Sequence, residues 1–215
     1  MRGFALAITI ALAVCPCASA QQAPRIGPFV VDLHGTVPLF PSDSPLLAAS
    51  RDVQAADLPG HGLGVDVAAQ IYVFKWRAMT VGIGGNLMTG RARSTPPAAA
   101  AGQASTGQPV LERFTSLAPQ LSFNFGNGYG WSYLSGGIGQ ATWFLEPEGA
   151  AATTADEENI KTINYGGGAR WFKKKHVGFS FDIRFYAINP GTPNGALGGS
   201  PRTRLMVIGA GVSVK

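Results

Sequence analysis

The sequence predicts an all-β fold: an eight-stranded antiparallel up-and-down transmembrane β-barrel. Three observations carry this prediction. Hydrophobic residues alternate with period two in one run after another. The connections between the runs are short and long in strict turn. The positions between the apolar ones are mostly small and uncharged. Only 13% of the 215 residues are charged, against about 25% in ordinary globular proteins.

Composition removes other classes. With 46% hydrophobic residues the chain is too apolar for a disordered one. Its 29 Gly are about twice the usual ~7% share. They disfavour a helical bundle, because an interior Gly costs a helix about 1 kcal/mol. A net charge of +5, with no basic run longer than Lys173–Lys175, is a weak basis for nucleic-acid binding.

Residues 1–20 read as a cleavable signal peptide, and 21–215 as one barrel domain. Arg2 gives a positive start, Phe4 to Val14 is apolar, and Ala18-Ser19-Ala20 is a small-x-small cleavage site. Both cysteines, Cys15 and Cys17, leave with the leader. Lipid modification at either is opposed by Val14 and Pro16, which stand where a small residue is needed. No later segment approaches the ~18 consecutive apolar residues of a membrane helix.

The eight runs follow in order. In Phe29–Val37, Phe29, Val31, Leu33 and Val37 oppose Val30, Asp32, His34 and Thr36. In Leu63–Val73, Leu63, Val65, Val67, Ala69, Ile71 and Val73 oppose Gly64, Asp66, Ala68, Gln70 and Tyr72. Met79, Val81, Ile83 and Leu87 oppose Thr80, Gly82, Gly84 and Asn86. Leu117, Leu121, Phe123 and Phe125 oppose Ala118, Gln120, Ser122 and Asn124. Trp131–Phe144 is a looser run of undecided facing. Ile163, Tyr165, Ala169 and Trp171 oppose Asn164, Gly166, Gly168 and Arg170. Val177, Phe179, Phe181, Ile183 and Phe185 oppose Ser180, Asp182 and Arg184. Leu205–Val214 is apolar on both faces.

Eight strands close a small barrel. Strands two and three join at Lys75-Trp76, four and five through Gly126-Asn127-Gly128, and six and seven through Lys173–Lys175. Asn-Gly is the strongest short hairpin signal. The other connections are long: Pro38–Gly62, Arg91–Glu112, Pro147–Asn159 and Asn189–Pro201. All long loops therefore share one end and the termini the other, as in a barrel with short periplasmic turns and four longer extracellular loops.

The facing follows from chemistry. A soluble lipocalin-like barrel, the alternative with the same strand count, needs a charged exterior. Here the polar faces carry Gly, Ala, Ser, Thr, Asn and Gln, which suit a narrow lumen, and the bulky apolar faces suit lipid. Trp76, Trp131 and Trp171 sit at short turns beside Phe74, Tyr129 and Phe172. Trp143, Phe144 and Tyr186 lie at far strand ends. This predicts aromatic girdles at both interfaces.

On these patterns the chain resembles the small eight-stranded outer-membrane β-barrels of Gram-negative bacteria, the class of the OmpA transmembrane domain and the OmpX- and OmpW-like proteins. The resemblance implies a location in the outer membrane, contact with its lipid and lipopolysaccharide, insertion by the barrel assembly machinery, and a monomer. It implies a mainly structural or surface-binding role, or alternatively a narrow channel for small solutes, hydrophobic ones included. The chain departs from the class at Val212-Ser213-Val214-Lys215, where an aromatic end is usual.

Candidate lumen residues are Asp32, His34, Asp66, Gln70, Arg170, Asp182 and Arg184. In low dielectric they must pair, and Arg184 with Asp66 or Asp182 is the expected cluster, either a polar gate or a structural plug. Hydrolysis would need a His with a Ser and a carboxylate. His61 and His176 fall in connections, His34 has no Ser at a suitable spacing, and no Gly-x-Ser-x-Gly occurs. The expectation is therefore no enzyme, no cofactor and no metal. The stretch from Pro96 to Ala101 reads as low-complexity loop. Glu146, Glu148, Asp156, Glu157 and Glu158 read as a solvated acidic one. Arg91, Arg93, Arg202 and Arg204 are expected at the outer rim, where arginine forks match lipopolysaccharide phosphates.

Overall fold

The computed structural model describes residues 24–95, 108–149, 159–193 and 198–215. The leader, the Pro96–Ala101 stretch and Asp156–Glu158 lie outside the described residues. Eight strands form: β1 (Phe29–Leu39), β2 (Leu63–Trp76), β3 (Met79–Arg93), β4 (Val110–Asn127), β5 (Gly130–Pro147), β6 (Asn159–Trp171), β7 (Val177–Ile188) and β8 (Thr203–Val214). Each pairs antiparallel with the next, and β8 pairs with β1 to close the barrel.

Strands at the long-loop end extend beyond the expected runs. β4 begins at Val110 rather than Leu117, because Glu112, Phe114 and Ser116 continue the inward parity despite their mixed polarity. At 18 residues, β4 and β5 rise about 45 Å at ~3.3 Å per residue and ~40° tilt, against an apolar band of about 25 Å. Their outer ends therefore stand clear of the bilayer. Arg91 and Arg93, expected in a loop, are strand residues of β3.

The exterior is apolar, which overturns the lipocalin-like alternative. Leu33, Ile71, Ile83, Leu117, Leu121, Leu134, Ile138 and Phe179 all point outward. β5 resolves by parity: Leu134 and Ile138 face out, while Trp131, Tyr133, Trp143 and Leu145 face in.

That parity corrects the girdles. Trp76 and Trp171 are more than half exposed, with Phe74 and Tyr129, and form a belt at the short-turn end. Trp131 and Trp143 are each 3% exposed, and Tyr186 and Phe172 are also buried. These four fill the interior. At the other end, the outward positions are Leu63, Arg91, Arg113 and Phe144, in register across β2 to β5. The aromatic count at strand ends was a sound signal, but one residue of parity separates girdle from core.

The first long loop has structure that the sequence did not suggest. Ser44 caps a short helix α1 (Pro45–Ala49), its Oγ accepting from the Leu47 N–H at 3.3 Å. A 3-10 turn follows at Ala55–Asp57. Leu47 and Ala48 of α1 pack with Phe40, Leu58, Phe114 and Trp143 over the long-loop mouth. In the barrel wall, Pro119 has no N–H to donate, and the β4–β5 ladder lapses between Leu117–Gln140 and Leu121–Gly136.

Candidate functional site: the barrel lumen

The lumen is filled in three layers. At the long-loop end, Met88, Phe114, Trp143, Tyr186, Ile188 and Leu205 form an apolar plug beneath α1. Phe114 and Tyr186 meet edge-on with ring centres 5.2 Å apart. At the short-turn end, Val30, Trp131 and Phe172 form a second plug with Ile26 and Tyr72. Trp131 stacks on Phe172 at 4.8 Å. Between them lies a polar layer.

All seven predicted lumen residues are in that layer or at its edge, and all are buried. Arg170 reaches across the barrel to Asp32, with Nε 2.9 Å from Oδ1 and an Nη2–Oδ2 contact of 2.5 Å. Ser213, in register beside Asp32, donates to the same carboxylate at 2.5 Å. The Arg170 guanidinium also lies 3.8 Å from the centre of the Tyr133 ring. Arg184 pairs with Asp182 at 3.0 Å, the expected partner of the two considered, and also donates to Ser135 at 3.0 Å. Asp66 instead lies 3.5 Å from His34 and accepts from Asn86, which in turn accepts from the Tyr186 hydroxyl at 3.1 Å. Gln70 accepts from Ser122 at 2.9 Å.

Two glycines make this layer possible. Tyr133, Gly168 and Asp182 are in register on β5, β6 and β7, and the Tyr133 hydroxyl passes over Gly168 to donate to Asp182 at 2.7 Å. Likewise His34, Gly211 and Ser180 are in register on β1, β8 and β7, and His34 reaches Ser180 at 2.8 Å over Gly211. A Cβ on either glycine would stand 1.9 Å from a carbonyl oxygen of the neighbouring strand. The sequence expectation of glycines leaving lumen space thus acquires a specific form.

The His34 contacts correct one statement of the sequence reading. A serine is present beside His34, supplied by β7, 146 residues away, a separation no local spacing displays. Ser180, His34 and Asp66 have the residue types of a hydrolytic triad. The geometry is not that of a working one. The His34–Asp66 separation exceeds a hydrogen bond, Ser180 is wholly buried, and the packing beside His34 leaves no room even for a water molecule. No carbonyl substrate fits at Oγ.

Sequence reasoning also missed Glu112, buried on the inner face of β4, where it accepts from the Trp143 indole at 2.8 Å. Period-two extension of the run upstream from Leu117 would have found it. At the rim, Arg91, Arg93, Arg202 and Arg204 are all exposed. Arg93 is held by Glu148 at 2.5 Å, which raises its pKa further. Arg91 stands directly opposite Arg113 on β4, which the sequence did not single out.

These features define a class: a small eight-stranded barrel of the outer-membrane type, lipid-facing outside and packed inside. Solved structures share the fold. Over 88% of this chain and 97% of the other, it superposes on the Neisserial surface protein A structure with a TM-score of 0.53 at 13% identity. Over 90% of this chain and 97% of the other, it superposes on outer membrane protein OprG from Pseudomonas aeruginosa with a TM-score of 0.52, also at 13% identity. No family model and no curated protein sequence matches the chain. The protein therefore has the architecture of an outer-membrane β-barrel protein, and its apolar wall suits that location.

Proposed function

We propose that this protein is a non-conducting, non-enzymatic outer-membrane barrel whose role is structural or surface-binding, carried by the long-loop end. The observation that carries this reading is the lumen: two apolar plugs enclose an ion-paired layer. Eight strands leave an interior just wide enough for side chains, and here they occupy it. Residues 1–20 serve as the export leader, and the barrel assembly machinery inserts the rest as a monomer. The rim arginines Arg91, Arg202 and Arg204 meet lipopolysaccharide phosphates, with Arg113 beside Arg91. Like charges directly opposite on adjacent strands are destabilising, and a bridging phosphate relieves that. Arg93 contributes less, because Glu148 already holds it.

One observation favours the second reading, a narrow path for small apolar solutes. The ladder lapses at Pro119, and an open apolar groove of about 630 Å³ lies there on the outer wall, between Ile71, Ile83 and Ile138. Single-channel recording in planar bilayers decides between them. The sealed lumen predicts no steady conductance, and discrete reproducible openings of the wild-type protein overturn it.

A further inference from the structure

The charges of this barrel are sorted by end. None of the twelve Asp and Glu lies in the segments that build the short-turn end, residues 24–28, 75–78, 127–130, 172–177 and 215. Those segments carry Arg25, Lys75, Arg77, Lys173, Lys174, Lys175 and Lys215. A face that gathers these cations with no Asp or Glu side chain among them repels itself and suits an external anion.

The cations are not spread evenly. Arg25, Lys173–Lys175 and Lys215 line one recess of about 730 Å³, with Phe29, Tyr129 and Phe172 as its aromatic walls. Lys215 is fixed there. His176 and Lys215 exchange backbone and ring hydrogen bonds of 3.0 and 2.9 Å. The Lys215 ammonium donates to the Gly128 carbonyl and lies 3.9 Å from the centre of the Phe172 ring. Partial burial lowers its pKa, so an anion in the recess would be welcome there.

This recess continues onto the lipid-facing wall. A second groove of about 620 Å³ runs along β6, β7 and β8 between Trp171, Val177, Phe179 and Val212, and it shares Tyr129, Phe172, Lys173 and Lys174 with the first. Trp171 and Phe179 stack to form one of its sides. An apolar channel on the membrane face that opens into a cationic chamber at the interface matches one kind of molecule, with an acyl chain and a phosphate head.

We propose that these adjoining recesses bind an anionic glycerophospholipid of the leaflet at the short-turn end. Its phosphate lies among Lys173, Lys174, Lys175 and Lys215, and one acyl chain lies in the groove between Phe179 and Val212. The site is separate from the arginine rim at the opposite end and does not depend on it.

The test uses the folded barrel in bilayer discs of phosphatidylcholine containing a minority of phosphatidylglycerol. Native mass spectrometry after extraction reads the retained lipid. Wild type is expected to retain phosphatidylglycerol with a preference of at least about a hundredfold. Each basic residue near an anionic lipid is worth about fivefold. The combined Lys173→Gln, Lys174→Gln and Lys175→Gln variant should thus lose on the order of a hundredfold. Val212→Trp, which fills the groove, should also reduce retention. Lys75→Gln with Arg77→Gln, at the same end outside both recesses, should not. Wild type in 1 M salt, where the screening length falls to about 3 Å, repeats the loss without any substitution. Equal retention of the two lipids, or undiminished retention by the triple variant, overturns the proposal. So does an equal loss in the Lys75/Arg77 control. Displacement by soluble glycerol 3-phosphate at matched concentration assigns the chamber to a free anion and overturns the lipid.

Discussion

The Arg170–Asp32 pair offers the sharpest test of the filled lumen. Arg170→Met keeps most of the side-chain length but removes the charge. It leaves the Asp32 carboxylate buried with the Ser213 hydroxyl as its remaining close donor. Breaking a buried pair from one side costs about 3–5 kcal/mol, because an uncompensated charge remains. Asp32→Asn should cost less. The amide still offers an acceptor, and the Tyr133 ring at 3.8 Å retains a cation–π contact of about 2 kcal/mol when desolvated. We expect about 3 kcal/mol, the lower end of that range. The double variant removes both charges at once. It should therefore be destabilised by at least 2 kcal/mol less than the sum of the singles, the size of coupling seen for residues in contact. Equilibrium urea unfolding in phospholipid vesicles, followed by tryptophan fluorescence, gives all three values. If the singles add within about 0.5 kcal/mol, the limit for independent sites, the two groups do not form the pair described and the layer is not held by charge.

Four further outcomes follow from particular contacts. In single-tryptophan variants, brominated acyl chains should quench Trp76 and Trp171 but spare Trp131 and Trp143; strong quenching of Trp131 would reverse the parity of β5. Gly168→Ala and Gly211→Ala should each destabilise the barrel by about 1–3 kcal/mol, the usual cost of overpacking, whereas Gly35→Ala, with open space at its Cβ, should be near neutral in the same urea titration. Purified protein should show no ester hydrolysis above background, and His34→Ala should leave that background unchanged; a loss on substitution would make Ser180, His34 and Asp66 a working site. Leu47→Asp in α1 should loosen the outer plug by about 2–5 kcal/mol through loss of a buried apolar side chain, seen as earlier unfolding and as proteolysis within the first long loop.

Much of the lumen was legible because parity is a local property. Asp32, His34, Asp66, Gln70, Arg170, Asp182 and Arg184 were each found by asking which residues oppose the apolar face. Their partners were not legible. Arg184 could be narrowed to Asp66 or Asp182, but the choice rests on where the strands place the side chains around the closed cylinder. Glu112 was missed because its neighbours Arg113 and Thr115 face outward with polar groups, which blurs the alternation where β4 leaves the membrane.

The sequence by itself determined the strand number, the alternation of turns and loops, and the inward set on six of the eight strands, all but β5 and β8, because a strand in lipid must declare its two faces residue by residue. Tertiary structure alone decided what fills the barrel. Trp131 and Trp143 became plugs rather than girdle once pairing with β4 and β6 fixed the loosely alternating β5, whereas Tyr186 follows the inward parity of Ser180, Asp182 and Arg184. Ser180 came to His34, and Arg170 to Asp32, only because the sheet closes and brings β7 and β6 across from β1. Closure is a long-range event, and no spacing along the chain records which side chains then meet in the middle.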